Sequence, residues 1–433
     1  MVSKPAPLAH TQLQESEPAP PAPASAFGWQ LPYSLRALQH RNFRLFFVGQ
    51  FVSRTGFWMQ WVAQGWLVYQ LTQSAFMLGL VSFAGQLPSL LLGLLAGVVA
   101  DRFNRYHVIL LMLVLAMLQA AVLSVLTLGG WITAWQVFFL ALFAGIVQSF
   151  EMPARQSFLM EIVGREDLPS AIALNSALVN GARILGPALA GIVVAYAGEG
   201  ACFSVNALSY LAIIGGFLAM RLPPRTRTAA SKRSVSAFIH EGIVYAVRTP
   251  SIRLPLILIG LVGLLSTPYT VLMPVFAKDI LNSGPSGMGL LMGAAGIGAV
   301  IGVSFLARHR GTDRLGRAIA FALVRFGLGL ILFAYSRNLW LSLLILPLVG
   351  SGFMVPMAAV NTLLQTIAPD RLRGRVMSLY FIMIMGAAPV GSLLSGSLAP
   401  YIGAPLTVAL TGAGCLGAAV WVSLNLHVLH DRQ

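Results

Sequence analysis

"TGFWMQWVAQGWLVYQLTQSAFMLGLVSFAGQLPSLLLGLLAGVVA", residues 55–100, holds no Asp, Glu, Lys or Arg, and then Asp101, Arg102 and Arg105 arrive together. A charge-free run of this length accommodates two apolar helices of about 20 residues each, joined by a short turn. Lipid offers no partner to a bare backbone amide, so a spanning segment is either a helix or a strand of a closed barrel. Continuous apolar runs, rather than alternating ones, select helices. Residues 106–150 and 376–430 are also free of Asp, Glu, Lys and Arg.

The composition agrees. Of 433 residues, 57% are hydrophobic and 9% charged, where a soluble domain carries about a quarter charged. Dividing the runs at Gly, Pro and polar punctuation predicts twelve spans. The first six lie at 43–70, 75–100, 106–128, 133–153, 169–197 and 201–220. The second six lie at 253–278, 286–307, 318–336, 339–366, 375–400 and 404–427.

Of the 28 Lys and Arg, 23 fall on the side of the N-terminus, Lys278 and Arg337 on the other, and Arg54, Arg183 and Arg325 inside spans. The positive-inside rule therefore predicts both termini in the cytoplasm. The net charge of +15 is spread over short loops that face anionic headgroups, and no folded basic domain remains to carry nucleic acid. No phosphate-binding G-x-x-x-x-G-K-S/T loop and no metal-ligand spacing is present. The chain reads as neither an enzyme nor a cofactor-bearing protein, and a monomer is expected.

Residues 1–40, with "EPAPPAPAS", predict a disordered cytoplasmic tail. Two six-helix halves follow, 41–220 and 251–428, separated by a basic linker at 221–250 in which Val235 to Val247 suits an amphipathic helix on the membrane surface. The halves echo each other. "FEMPARQSFLMEIVGREDL" (150–168) and "FMVPMAAVNTLLQTIAPDRL" (353–372) place Pro153 against Pro356 and Asp167 against Asp370 at one offset of 203. Paired repeats of this kind place a transporter's substrate site at their interface near the bilayer centre.

With "GQFVSRTGFWMQWVAQGWLVYQLTQSAFMLGL", "PARQSFLMEIV", "NSALVNGARILGPALAG" and "LRGRVMSLY", the chain resembles the major facilitator superfamily, in the bacterial branch of enterobactin exporters and macrolide efflux proteins. The resemblance implies an all-α membrane protein of twelve transmembrane helices in two pseudo-symmetric bundles. It also implies alternating access, export of a small amphipathic molecule such as a drug-like compound or siderophore, and protons as the coupling ion. A lipid or lysophospholipid flippase of the same fold and a non-transporting sensor are the alternatives.

Three sets of residues carry the functional expectations. The superfamily's loop between spans two and three reads G-x-x-x-D-R-x-G-R, and Gly97, Asp101, Arg102 and Arg105 match it while Asn104 replaces the second Gly. By that resemblance the hairpin latches the inner gate, with Glu151 as the nearest counter-charge. Asp313, Arg314 and Arg317 repeat it in the second half, where His309 replaces the leading Gly. Gly186, Pro187 and Gly191 match the fifth-span signature of antiporters, with Ala173, Ala182 and Ala190 in place of Gly.

The third set is the proposed cavity. Arg54, placed near the midplane and expected to face the cavity with Trp58 or the Gln50 amide beside it, competes as an anion site with a purely structural role. Arg183 carries the same pair of readings with structure favoured. Gln60 and Gln64 form a polar stripe, and Asn180, Tyr269 and Arg325 complete the candidate substrate residues. No carboxylate is expected near the bilayer centre, so the sequence supplies no evident proton carrier.

Overall fold

The computed structural model describes residues 32–164, 166–221, 235–308 and 315–426. Asp313, Arg314, the first 31 residues of the expected tail and the side chain of Asp101 lie outside what it describes.

The first half consists of α1 (Arg41–Thr72), α2 (Ala75–Arg102), α3 (Arg105–Leu128) and α4 (Ala134–Val163), followed by a helical run Leu168–Leu218. That run breaks at Gly198, where φ is 77°, a conformation that costs a residue with a Cβ dearly. Its arms, α5 (168–197) and α6 (199–218), fold back on each other around α1. Trp58 and Thr55 of α1 stand against Gly186 on one arm, and Gly56 stands against Asn206 and Ser209 on the other. The second half holds α7 (Pro250–Val271), α8 (Gly284–Arg308), α9 (Leu315–Tyr335), α10 (Leu339–Ile367), α11 (Asp370–Ile402) and α12 (Ala404–Leu424). A π-helical turn, Phe276–Ile280, extends α7. Among the described residues these are the twelve long helices.

Several boundaries differ from expectation. The span expected to stop at Pro153 continues ten residues further, to Val163, because an interior proline removes one hydrogen bond and bends a membrane helix without ending it. The tail expected to run to residue 40 gives way to a 3₁₀ turn at Tyr33–Gln39. The turn docks on the start of α5: Arg36 Nε lies 3.1 Å and His40 Nε2 2.7 Å from the Asp167 carboxylate, and the Ala37 amide donates to Ser170 Oγ. The linker helix, Val235–Arg248, packs against the start of α11 through Glu241, which pairs with Arg371 and Arg375.

The lipid-facing surface is legible in α3, where Leu111, Leu118, Val122 and Val125 are exposed along one side. Trp131, Trp135 and Trp340, all exposed, ring the end opposite the termini, as interfacial indoles do.

The buried apolar side chains define the shape. At the end carrying the termini they form two separate clusters, one per half, around Phe43, Phe158 and Phe217 and around Ile252, Leu363 and Val422. At the opposite end one continuous cluster spans both halves, from Trp66 and Leu78 to Met273, Phe276 and Met288. Lipid gives helices no hydrophobic drive to associate, so close van der Waals approach must hold this junction. Glycines provide it: α2 meets α11 at Gly79 and Gly396, and α5 meets α8 at Gly191 and Gly289, each so near that a Cβ would lie within about 3 Å of the facing backbone. The halves are thus joined at the end opposite the termini and splayed at the other.

Candidate functional site

The splay encloses a cavity of about 820 Å³ between the halves. Its wall carries three arginines, Arg54, Arg155 and Arg183, and among the described lining residues no Asp or Glu. Trp58, Trp61 and Phe353 give it aromatic faces, and Gln86, Asn175 and Thr267 give it neutral polar ones. This combination of apolar wall and few convergent polar groups is the usual make-up of a small-molecule site.

The arginines differ in what already holds them. Arg54 Nη2 donates to both Glu151 oxygens at 3.3 and 3.1 Å, and Arg155 Nη1 lies 3.1 Å from Glu151 Oε1. The Gln50 amide, with its oxygen toward the guanidiniums, accepts from Arg54 Nε at 2.8 Å and from Arg155. These four side chains tie α1 to α4, and the Arg54 and Glu151 side chains are only 12% exposed. Arg54 therefore lies beside Phe57 rather than on an indole, tied into an ion-pair network at the edge of the cavity.

Arg183 faces no carboxylate among the described residues. Its guanidinium lies over the rings of Trp58 at 5.3 Å and Phe353 at 5.9 Å. Its Nη1 approaches the Met354 sulfur at 3.9 Å. It sits midway between Leu168, where its arm of the broken helix starts, and the break at Gly198, at the middle of the bundle.

Of the eight residues expected to bind substrate, the structure brings Arg54, Trp58, Arg183 and Tyr269 to the cavity wall. The other four are corrections. Gln60 is buried in an interhelical network, donating to Gln119 Oε1 at 3.0 Å and accepting from Asn206 Nδ2 at 2.8 Å. Buried amides must be satisfied, and this triad joining α1, α3 and α6 satisfies them away from the cavity. Gln64 is not part of the lining, and Asn180 turns its amide to the Ser176 carbonyl of its own helix at 2.8 Å. Arg325 lies over the ring of Phe321, itself 64% exposed on the outside of the bundle.

The hairpin also differs from expectation. Glu151 is no counter-charge for it, being held by Arg54 and Arg155 well inside α4 rather than at the helix end. That acid is a buried carboxylate within a membrane-spanning helix. Arg105 instead pairs with Glu161 at 2.6 Å and donates to the Ala100 carbonyl at 3.2 Å. Asn104 adopts extended backbone, φ −69°, and caps α3 by accepting from the Tyr106 amide, the role of a polar N-cap. Arg102 and Arg317 are exposed, and among the described residues nothing lies within 4 Å of where a Cβ on Gly97 would be. Gly186 packs on α1, and Gly191, one turn beyond Pro187, packs on α8.

Residues missed in the sequence are Gln86, Gln148, Gln156 and Arg155. Gln86 is the one amide of α2, whereas Gln148, Arg155 and Gln156 share α4, and no local spacing separates a cavity-facing Gln from an interhelical one.

The long apolar helices and the family match define a multi-pass membrane transporter with a central cavity between its halves. Residues 33–432 match the family described as transmembrane secretion effector, and the chain belongs to that family, within the major facilitator superfamily. The multidrug efflux pump Tap of Mycolicibacterium fortuitum is 31% identical over 79% of this chain and 85% of its own length. The staphyloferrin A transporter of Staphylococcus aureus is 24% identical over 85% of this chain and 92% of its own. A mutant of the peptide transporter POT, solved with alafosfalin, shares the fold, with a TM-score of 0.70 at 13% identity over 93% of this chain and 99% of that one.

Proposed function

We propose that the protein exports a small amphipathic molecule, a drug-like compound or a siderophore, across the bacterial cytoplasmic membrane by alternating access. The observation that carries this is the central cavity, shut at the end opposite the termini by glycine-on-glycine helix crossings and open at the end where the basic loops gather. The positive-inside rule puts the open mouth in the cytoplasm, which is where an exporter loads. Relatives named as efflux pumps and siderophore transporters support that direction.

On this reading the hairpin of Gly97, Asp101, Arg102 and Arg105 closes the inner mouth once the halves rock, with Arg317 at the corresponding turn of the second half. The small residues around Gly186, Pro187 and Gly191 keep α5 close to its neighbours through the cycle. Protons drive the cycle, Glu151 being the buried acid nearest the cavity, and one chain suffices.

The test is flux of a mixed compound panel through the purified protein in liposomes, with a pH gradient of either sign. Gradient-dependent flux supports the proposal. Absence of flux under both gradients, with the protein folded, overturns it and turns attention to lipid substrates.

A further inference from the structure

The three cavity arginines share one carboxylate, and it is not distributed evenly. Glu151 compensates Arg54 and Arg155, while Arg183 has aromatic faces and a thioether. An aromatic face attracts a cation but accepts no strong hydrogen bond, and a thioether sulfur is a weak acceptor. A guanidinium offers five N–H donors in a planar fork, so most of those on Arg183 have no strong acceptor among the described residues. The second-half position that matches Glu151 at the 203-residue offset is Met354, the very side chain against which Arg183 rests. One half of the repeat thus carries an acid beside its arginine, and the other presents a neutral sulfur.

An unneutralised arginine midway through a membrane bundle is costly and is retained where it meets a ligand or a water-filled cavity. We propose that Arg183 is the anion-recognition residue of the transport site and that the substrate is an amphipathic oxyanion, a carboxylate or its planar equivalent. This rests on the transporter reading and narrows its substrate class. The oxygen pair docks bidentately on the guanidinium edge, the geometry that favours arginine over lysine. The apolar body lies against Trp58, Trp61 and Phe353, which wall the cavity around it. Tyr269, in the same wall and from the second half, supplies a hydroxyl donor.

The placement has a mechanical consequence. Trp58 belongs to the first half and Phe353 and Met354 to the second, so an anion on Arg183 sits where both halves touch it. Its charge supplies the carboxylate that Arg183 lacks among the described residues, at a cationic point where the halves meet.

The experiment compares two probes of one skeleton, 1-pyrenebutyrate and its methyl ester, on the full-length protein in lipid nanodiscs, with binding read by energy transfer from tryptophan. The wild type should bind the acid at least about tenfold more tightly than the ester. Arg183→Met should bring the two within about twofold, Arg183→Lys should leave an intermediate preference, and Arg325→Met, outside the cavity, should keep the full preference. Equal binding by the wild type, no binding of either probe, or an acid preference that survives in Arg183→Met or in Arg183→Lys at full strength overturns the proposal. Flux of both probes in proteoliposomes separates the two readings: unselective flux sinks the anion site and leaves the transporter, whereas acid-selective binding without flux does the reverse.

Discussion

The Tyr69 hydroxyl of α1 donates to the Asp279 carboxylate on the π-helical turn that follows α7, joining the two halves at the end opposite the termini. The Lys278 ammonium lies 5.6 Å from the centre of the Tyr69 ring, so the tyrosine engages both neighbouring charges of the second half. A hydrogen bond to a charged group contributes about 1.5–3 kcal/mol. Tyr69→Phe or Asp279→Asn should therefore shift the balance between the two access states by about 10- to 100-fold toward the state open at this end. Spin labels at Leu71 and Leu290, exposed on α1 and α8, report the separation. A distance distribution identical to that of the parent protein would remove this bond from the outer closure.

Glu151 stands between two arginines whose side chains are 12 and 13% exposed. Removing the shared acid leaves two like charges facing each other, and an uncompensated buried charge costs about 3–5 kcal/mol. Glu151→Gln should lower the melting temperature by several degrees. Arg54→Gln alone should cost less, because Arg155 still answers the acid. In the double variant the effects should be non-additive by about 0.5–3 kcal/mol, as coupled neighbours are. Additive melting shifts would show that the pair is not coupled.

The fold was readable because its determinants are long and redundant: charge-free runs set the helices, and the Pro153 and Pro356 echo set the two halves. The site was readable only in part. Arg54 and Arg183 were recognisable as intramembrane arginines, but which of them is compensated depends on helices brought together by the fold. Glu151 lies 97 residues from Arg54 in sequence, and no local pattern announces their contact. Gln60 and Gln86 pose the same difficulty: both are amides on largely apolar helices, yet the first is absorbed by Gln119 and Asn206 and the second faces the cavity.

The proposed gate can be tested with two glycines of α2 that should respond in opposite ways. At Gly79 a Cβ would stand 2.5 Å from the Ser392 carbonyl oxygen and 2.7 Å from Gly396 Cα. Gly79→Val must therefore push α2 and α11 apart, favouring the state open at the end opposite the termini and lowering the stability of the state described above. At Gly97, near the other end of the same helix, among the described residues nothing lies within 4 Å of the Cβ position. Gly97→Val should leave melting within about 0.5 kcal/mol of the parent, as surface changes do. If the hairpin closes against the second half during the cycle, that open space is needed there, and flux in proteoliposomes should fall at least about tenfold while the splayed state persists. A Gly97→Val protein that transports at the parental rate would take the hairpin out of the gate, and the splayed mouth would then have to close through other contacts between the two inner clusters.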